Sequence, residues 1–323
     1  MLTAKNRNLL LGLGVLVFIF GVIFLLRIPK GPVYKYTIGI AQTAPHPALD
    51  AAREGYQDYL KEKLGDQIGF VVNNAQGSAA QAHLIAQSFH NNAALNGILA
   101  IATMTAQAAM QNASDKPLFV VAITDPAAIG LDKAAYACGA SDKLDAAKQI
   151  ELLRLITPQA RSATLFYNGS EINAQITAKN LQDELIKNGY EVHTVTITQQ
   201  SEIPFGIERA LQKGDVIISP IDNTIATAIS FIAHRAVKAK KPFFVSDNLL
   251  VKQGALAAAG VDYYELGRQT AACTFSVLVN GQTPDAISFT QQPQQRFVVN
   301  ESILAQLGLP KPDVPADKII FIK

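Results

Sequence analysis

The chain has 323 residues, of which 49% are hydrophobic and 17% are charged, and its formal net charge is +2. This length is sufficient for two domains of ordinary size, each with its own apolar core. The near-neutral charge and the absence of Lys or Arg blocks argue against a nucleic-acid partner.

An uncharged apolar run extends from Leu9 to Leu26 near the start of the chain. A run of this length matches what a helix needs to cross the hydrocarbon core of a bilayer. A cleaved signal peptide has a shorter apolar core and a small-residue cleavage site, and a lipoprotein signal is followed by Cys; neither feature is present. We therefore expect residues 1–35 to form an uncleaved anchor, with a transmembrane helix over about 9–26 and a Pro/Gly-containing linker. A cleaved signal peptide is the alternative.

The next hundred residues alternate between short apolar strands and amphipathic helices. The pattern predicts strands over 36–41, 68–73 and 136–140, helices over about 47–64 and 78–89, and a strand–turn–helix–strand unit over 97–126. Polar side chains follow the strands of this half: Gln42 and Thr43 after the first, Thr103 and Thr105 in the turn of the unit, and Asp125 at its end.

The second half of the chain repeats this alternation. Helices are predicted over 142–155, 173–188, 203–212, 262–279 and 302–307, and strands over 162–167, 191–197, 254–259 and 297–300. The stretch 215–248 reads as strand, polar loop, helix over 224–238, and strand. Polar residues again stand at the strand ends, namely Asn168, Asp222, Asn223, Asp247 and Asn248.

The units 97–126 and 215–248 have the same order of elements, and Asp125 in the first matches Asp247 in the second. In parallel sheets, ligands bind beyond the carboxyl ends of the strands, where these polar residues lie. The repetition therefore predicts two similar α/β lobes that face each other across a cleft. The alternative is a coincidence, because every doubly wound fold repeats itself loosely.

Nine segments, in one order, resemble the ABC-transporter substrate-binding family that includes tryptophan and tyrosine uptake proteins. The resemblance covers about residues 36–309 and rests on IGIAQTAPHPALDAAREGY, NNAQGS, AIATMTAQAA, AITDP, LLRLITPQARSATLFYNGSE, SPIDNTIATA, VSDN, GALAAAGVDYYELGRQ and FVVNES. It implies a type I periplasmic-binding-protein fold, an α/β architecture of two Rossmann-like lobes of doubly wound parallel sheet, joined by hinge crossovers. The N-terminus departs from the family, because a membrane helix replaces the usual cleaved or lipidated signal.

The resemblance also implies how the chain is divided between the lobes. The first lobe would take residues 36–141 plus about 252–285, and the second residues 142–251 plus about 286–323. Cys138 and Cys273 would then both belong to the first lobe. A disulfide between them and a pair of buried free thiols are both open at this point.

A zwitterionic amino acid needs an anion receptor for its carboxylate and acceptors for its ammonium group. The helix that begins near Thr105 offers backbone N–H groups, beside the Thr103 and Thr105 hydroxyls, for the carboxylate. Asp222 and Asp247 could accept from the ammonium. Capping of a local helix is the structural alternative for Thr105 and Asp222, and bracing of a loop for Asp125. The candidate ligand-binding residues are Gln42, Thr43, Thr103, Thr105, Asp125, Asn168, Asp222, Asn223, Asp247 and Asn248.

Enzymatic chemistry finds no support in the sequence. It has no nucleophile elbow, metalloprotease motif, phosphate-binding loop or Cys/His cluster with metal spacing, so no catalytic residue, metal or cofactor is predicted. His46 reads as a turn histidine at the cleft edge. Tyr263 and Tyr264 read as packed hinge residues, with stacking on a ligand as the alternative.

The expected function is that of the solute-binding component of an ABC importer, anchored at the extracytoplasmic (periplasmic) face of the bacterial inner membrane. It would capture an amino acid-like solute, with an aromatic amino acid as first choice, and deliver it to an ABC permease. The alternative is a membrane-anchored sensor that presents its bound state to a signalling partner.

Overall fold

The computed structural model describes residues 34–112, 115–291, 296–313 and 318–323. The expected anchor helix at 9–26 and most of the linker lie outside these residues. Within the described ranges, none of the helices combines the length and apolar character that a bilayer crossing requires.

The described residues alternate between strands and helices in the predicted order. The strands are β1 (Tyr36–Gln42), β2 (Ile68–Asn74), β3 (Gly97–Ile101), β4 (Leu118–Val121), β5 (Ala137–Ser141), β6 (Ser162–Asn168), β7 (Glu191–Ile197), β8 (Val216–Ser219), β9 (Phe243–Val245), β10 (Ala257–Gly260), β11 (Thr290–Gln291), β12 (Arg296–Asn300) and β13 (Ile319–Ile322). The α-helices are α1 (Pro47–Leu64), α2 (Ala79–Asn91), α3 (Thr103–Gln111), α4 (Ala146–Ile156), α5 (Ile172–Lys187), α6 (Ile203–Leu211), α7 (Asn223–Thr227), α8 (Ile229–Lys238), α9 (Asn248–Val251), α10 (Tyr263–Leu278) and α11 (Glu301–Leu307).

The strands form two sheets, and each sheet is the centre of one α/β lobe. The first has the order β11–β5–β4–β3–β1–β2 and the second β13–β12–β10–β9–β8–β6–β7. All pairs in the first sheet are parallel, and in the second the pair β10–β12 is antiparallel. The central strands β3, β4, β8 and β9 are buried throughout, because helices cover both faces of a parallel sheet.

The division of the chain between the lobes differs from the expected one. Strand β10 pairs with β9 in the second sheet, although residues from about 252 were expected in the first lobe. The crossing back to the first lobe comes only after Gly260, and Thr270 on α10 donates its hydroxyl to the carbonyl of Val120 at 3.1 Å. Strand β11 then joins the first sheet and β12 the second, so the third crossing follows Gln291 rather than residue 285.

Two predicted helices have different limits in the structure. The helix expected over 224–238 is divided into α7 and α8 at Ala228, whose φ of −117° and ψ of 16° are not helical. The helix expected from Asp142 begins at Ala146, because Asp145 caps its first turn by accepting from the backbone N–H of Ala147 at 2.9 Å. Asp142 is therefore left in the crossing between the lobes.

Helices α1 and α10 cross closely in the first lobe. A Cβ on Gly267 would lie 2.0 Å from the carbonyl oxygen of Ala52, and one on Gly55 would lie 2.0 Å from that of Tyr264. The missing side chains therefore let the two backbones touch. This contact fixes the returning segment, including Tyr263 at the start of α10, against the first lobe.

Candidate ligand-binding site

A cavity lies between the two lobes, at the carboxyl ends of their strands. It contains about 400 Å³ of space free of protein atoms, part of it continuous with solvent. The first lobe contributes His46, Leu49, Ala102, Ala122, Thr124 and Tyr263 to the lining. The second lobe contributes Asn173, Pro220, Ile221, Asp222, Asn223, Ala226, Ser246, Asp247 and Leu250, and Asp142 lines the cavity from the first crossing.

The charged groups of this lining are acidic. Asp142, Asp222 and Asp247 face the space, whereas the described lining contains no Lys or Arg. None of the three is more than 6% exposed, so water does little to screen their charges. A cavity of this kind favours a cation, and an ammonium group supplies both the charge and the hydrogen-bond donors.

Asp142 and Asp247 stand near each other and near Tyr263. The phenol of Tyr263 donates to Asp142 Oδ2 at 2.9 Å, and Asp247 Oδ1 accepts from the backbone N–H of Leu249 at 2.8 Å. Burial raises the pKa of Asp142 to about 6. Burial, together with the charge of Asp142, raises the pKa of Asp247 to about 7. Near pH 7 Asp142 is therefore mostly ionised and Asp247 is partly protonated, and an arriving positive charge favours the ionised form of both.

Asp222 has a structural role at the start of α7. Its Oδ1 accepts from the N–H of Ile225 at 2.8 Å and its Oδ2 from the N–H of Asn168 at 2.5 Å, so it joins the end of β6 to the helix. Glu171 also binds this helix start, accepting from the N–H of Thr224 at 2.8 Å. Burial and the charge of Glu171 raise the pKa of Asp222 well above its usual value. Two carboxylates thus share one helix N-terminus.

The wall from the first lobe mixes apolar and polar groups and carries no formal charge. Ala102 and Ala122 follow β3 and β4 with φ of 74° and 59°, a region that alanine rarely adopts and that often marks functional sites. Ala102 immediately precedes α3. The Thr124 hydroxyl lies close enough to Asp142 to lower the pKa of that carboxyl. His46 Nδ1 is buried and has no hydrogen-bond partner among the described residues. Unpartnered buried polar atoms in a binding cavity are suited to a ligand.

A hydrogen bond crosses the gap directly. His46 Nε2 lies 3.2 Å from Asn223 Oδ1, which makes the histidine the donor at this nitrogen. Burial lowers the pKa of His46 below its usual value, so the ring is neutral near pH 7. The bond joins the start of α1 in the first lobe to the start of α7 in the second.

The structure brings three of the predicted site residues into the cavity: Asp222, Asn223 and Asp247. The other seven lie elsewhere, and most of their polar groups are used within the protein. Gln42 bonds with Ala44, Asp50 and Arg53, and Thr43 and Thr105 both donate to the carbonyl of Ile101.

The remaining four candidates lie near the cavity but outside its lining. Asn168 bonds with Ser170 and Thr224, and Asn248 donates to the carbonyl of Gly260. Asp125 caps a 3₁₀ turn at Ala128 and lines a separate small pocket beside the first crossing. Thr103 is buried with its hydroxyl unpartnered. Ligand contact by any of the ten residues stays a prediction.

Sequence reasoning missed the residues that depend on the crossings. Asp142 and Tyr263 were assigned to a helix start and a packed hinge, and His46 to a turn, yet all three line the cavity. Thr124, one residue before the chosen Asp125, faces the same space. A signal was present for Asp142, because it stands at the first predicted crossing, which bounds the cleft. Tyr263 lies at the return crossing, which was predicted about ten residues too early. The described residues contain no His/Cys/Asp/Glu group that could hold a metal ion.

Comparison with known proteins identifies the family. Residues 37–314 match the family model for ABC transporter substrate binding proteins. The chain belongs to this family. Its members bind substrates rather than convert them, so the protein is not an enzyme. More distant solute-binding proteins of known structure share the same two-lobed fold.

Similar proteins give the family match more detail. A tyrosine-binding protein of Clostridioides difficile (strain R20291) is 34% identical over 294 residues, which cover 88% of this chain and 84% of that protein. The ABC domain from Streptococcus pneumonia in complex with L-Trp is 28% identical with a TM-score of 0.83, covering 88% of this chain and 99% of that one.

A third similar structure is a ligand-free, open form. This substrate-binding protein with adhesive properties, from Clostridium difficile, is 32% identical with a TM-score of 0.67, covering 89% of this chain and 99% of that one. The present structure thus resembles the L-Trp complex more closely than the open form, despite the lower identity. This agrees with the nearly complete burial of its cavity residues.

Proposed function

We propose that the protein is the extracytoplasmic solute-binding component of an ABC importer and captures an aromatic amino acid between its lobes. The observation that carries the proposal is the buried, acidic, two-sided cavity at the strand ends. The tyrosine-binding relative and the L-Trp complex, both similar to this chain, support the ligand class.

In the proposed complex, the ammonium group of the ligand is held by Asp247, with Asp142 beside it. Both carboxylates are buried, and Asp142 lies between the hydroxyls of Tyr263 and Thr124. Each hydrogen bond between an ammonium and a carboxylate contributes about 1.5–3 kcal/mol net. Asp222 is left out of the ammonium site, since both its oxygens already accept from backbone N–H groups and burial raises its pKa.

The carboxylate of the ligand is held on the opposite wall. The start of α3, behind Ala102, carries the partial positive charge of a helix N-terminus. The Thr124 hydroxyl lies on this wall and can donate to the carboxylate. His46 Nδ1 cannot, because it is an acceptor while the neutral ring donates from Nε2 to Asn223. Because the ligand's two charges bind to different lobes, the closed state is favoured when it is present.

Apolar residues receive the side chain of the ligand. They belong to both lobes, namely Leu49, Pro220, Ile221, Ala226, Leu250 and Tyr263. The ring of Tyr263 offers an aromatic surface, and its hydroxyl is already engaged with Asp142. This composition favours a large apolar side chain over a charged one.

Delivery to an ABC permease, and anchoring by residues 9–26, are further parts of the proposal. The apolar run and the family membership support them. A strain lacking the gene would lose high-affinity uptake of the ligand. Uptake that stays at the parental level in this deletion strain, although the purified protein binds the ligand, would favour the sensor alternative.

The ligand assignment is tested by calorimetric titration of the purified full-length chain with the twenty amino acids. We expect tyrosine or tryptophan to bind most tightly. Asp247→Asn should weaken this binding about 10- to 100-fold, because a charge-assisted hydrogen bond is lost. The matched control is Asp66→Asn, an exposed carboxyl outside the cavity, which should bind within about twofold of wild type. Wild-type affinity in Asp247→Asn would refute the ammonium site.

A further inference from the structure

The two cysteines of the described chain meet in the core of the first lobe. Cys138 lies on β5 and Cys273 on α10, and both belong to one cluster of buried apolar residues. The register of the sheet explains why they meet. Thr270 of α10 donates to the carbonyl of Val120, whose neighbour across the sheet is Gly139, next to Cys138. Cys273 follows Thr270 by one helical turn, on the same face of α10.

Both side chains are free thiols in this structure, and neither is more than 5% exposed. Cys273 and burial together raise the pKa of the Cys138 thiol. The phenol of Tyr56 forms a hydrogen bond with Thr274 Oγ1 at 2.9 Å and interacts electrostatically with both sulfurs. Thiols in this environment react slowly with oxidants once the protein has folded.

The two cysteines lie at opposite ends of the segment that the chain contributes to the second lobe between its first two crossings. Cys138 comes just before the first crossing to the second lobe, at Asp142. Cys273 comes just after the return crossing, at Asp262. A covalent bond between them would enclose the segment of the second lobe from α4 to β10 in one loop, fixed at both ends to the first lobe.

We propose that Cys138 and Cys273 are joined by a disulfide when the chain folds outside the cytoplasm. The occurrence of this bond in the cell rests on the extracytoplasmic location proposed above. The capacity to form it rests only on the contact between β5 and α10.

The bond forms by thiol–disulfide exchange with an oxidant that itself carries a disulfide. One cysteine thiolate attacks a sulfur of the oxidant and releases one of its halves as a thiol. The second cysteine thiolate then displaces the other half, so the two cysteines lose two protons and two electrons. The oxidant is reduced to two thiols. Because both cysteines are buried in the folded lobe, this exchange takes place before the core closes.

The first test counts thiols in the exported protein. The full-length chain is expressed with export, solubilised in detergent without reductant, unfolded in guanidinium chloride and treated with N-ethylmaleimide. We expect an intact mass with no maleimide added, and with two added when dithiothreitol precedes the treatment. Two additions without dithiothreitol, or a disulfide-linked dimer, would overturn the proposal.

The second test does not depend on location. The reduced full-length chain is refolded in a mixture of oxidised and reduced glutathione. We expect a monomeric disulfide form, with a midpoint of thermal unfolding about 5–10 °C above that of the reduced form, because the loop it closes is long. Failure to form this bond would also overturn the proposal. The double variant Cys138→Ala/Cys273→Ala is the control and should unfold at the same temperature with and without dithiothreitol.

Ligand titration of both redox forms separates this proposal from the proposed function. Because neither cysteine lines the cavity, the reduced and the oxidised protein should bind the ligand with affinities within about threefold of each other. A disulfide in a protein that binds no amino acid would refute the function and leave the bond established.

Discussion

At the scale of single residues, Asp142 and Asp247 are two groups in the cavity that are costly to keep ionised. Each is buried, and each lies within the field of the other. The unliganded protein must keep them ionised at a cost or bind protons. An ammonium group would remove that cost, because it supplies the missing positive charge.

The cost of ionising these buried carboxyls predicts how the stability of the unliganded protein depends on pH. The pKa of Asp247 is about 7 in the folded protein and 3.8 in its ordinary environment. Between these values the folded state holds a proton that the unfolded state has released, so stability falls as pH rises. For Asp247, the free energy of unfolding should be on the order of 3 kcal/mol higher at pH 5 than at pH 8.

Calorimetry of the wild type and of Asp247→Asn at the two pH values measures this difference. The variant cannot titrate at this position and should lose the corresponding part of the rise towards pH 5. Asp125→Asn, outside the cavity, should keep the wild-type dependence. Equal pH dependence in the wild type and Asp247→Asn would show that the carboxyl does not resist ionisation in the folded state.

The crossing of α1 and α10 carries the next prediction, at the scale of whole elements. Gly267→Ala places a methyl group against the carbonyl of Ala52, at a distance that no real contact allows, so the helices must separate. Overpacking of this kind costs about 1–3 kcal/mol or more. Denaturant unfolding should show a loss of this size.

Gly169→Ala is the matched control for that substitution. Its Cβ would approach no atom closer than 3.6 Å, and its backbone is not in the left-handed region. The free energy of unfolding should therefore change by less than about 0.5 kcal/mol. If both alanine variants were equally stable, the helices would not depend on backbone contact at the crossing.

The sequence predicted most of the strands and helices, because buried parallel strands such as Phe243–Val245 are short apolar runs between turn residues. The strand Ala257–Gly260 was expected in the first lobe but joins the second sheet, because a run of alanines packs equally well in either lobe and gives no signal of its own. The break at Ala228 was missed because the helical pattern continues through it.

The candidate site was predictable only in part, for a similar reason. Residues at strand ends could be chosen by rule, and Asp222, Asn223 and Asp247 do lie in the cavity. Whether a polar side chain turns inward depends on partners far away in the sequence. Thr43 donates to the carbonyl of Ile101, and Asn168 bonds with Thr224; neither partner is visible in a local pattern.

Closure of the two lobes is the property of the whole molecule on which the proposed function depends. In the closed structure, His46 and Asn223 are joined across the gap. We expect His46→Ala to destabilise the closed state of the unliganded protein by about 1 kcal/mol relative to the open state. The closed-to-open ratio would then fall about fivefold.

Small-angle X-ray scattering measures this shift. Without ligand, His46→Ala should have a larger radius of gyration than the wild type, and saturating ligand should bring the two values together. His83→Ala, on the exposed side of α2, is the control and should scatter as the wild type does. Identical scattering of His46→Ala and the wild type without ligand would assign closure to other contacts.

The chain crosses between the lobes three times. Because this number is odd, the two ends of the described part of the chain lie in different lobes. Tyr36 begins a strand of one sheet, and Ile322 ends a strand of the other. Energy transfer between a fluorophore near Tyr34 and a second at Lys323 would therefore report the movement of one lobe relative to the other. If the N-terminal end were fixed to a surface, the first lobe would be held in place and the C-terminal end would move with the second lobe.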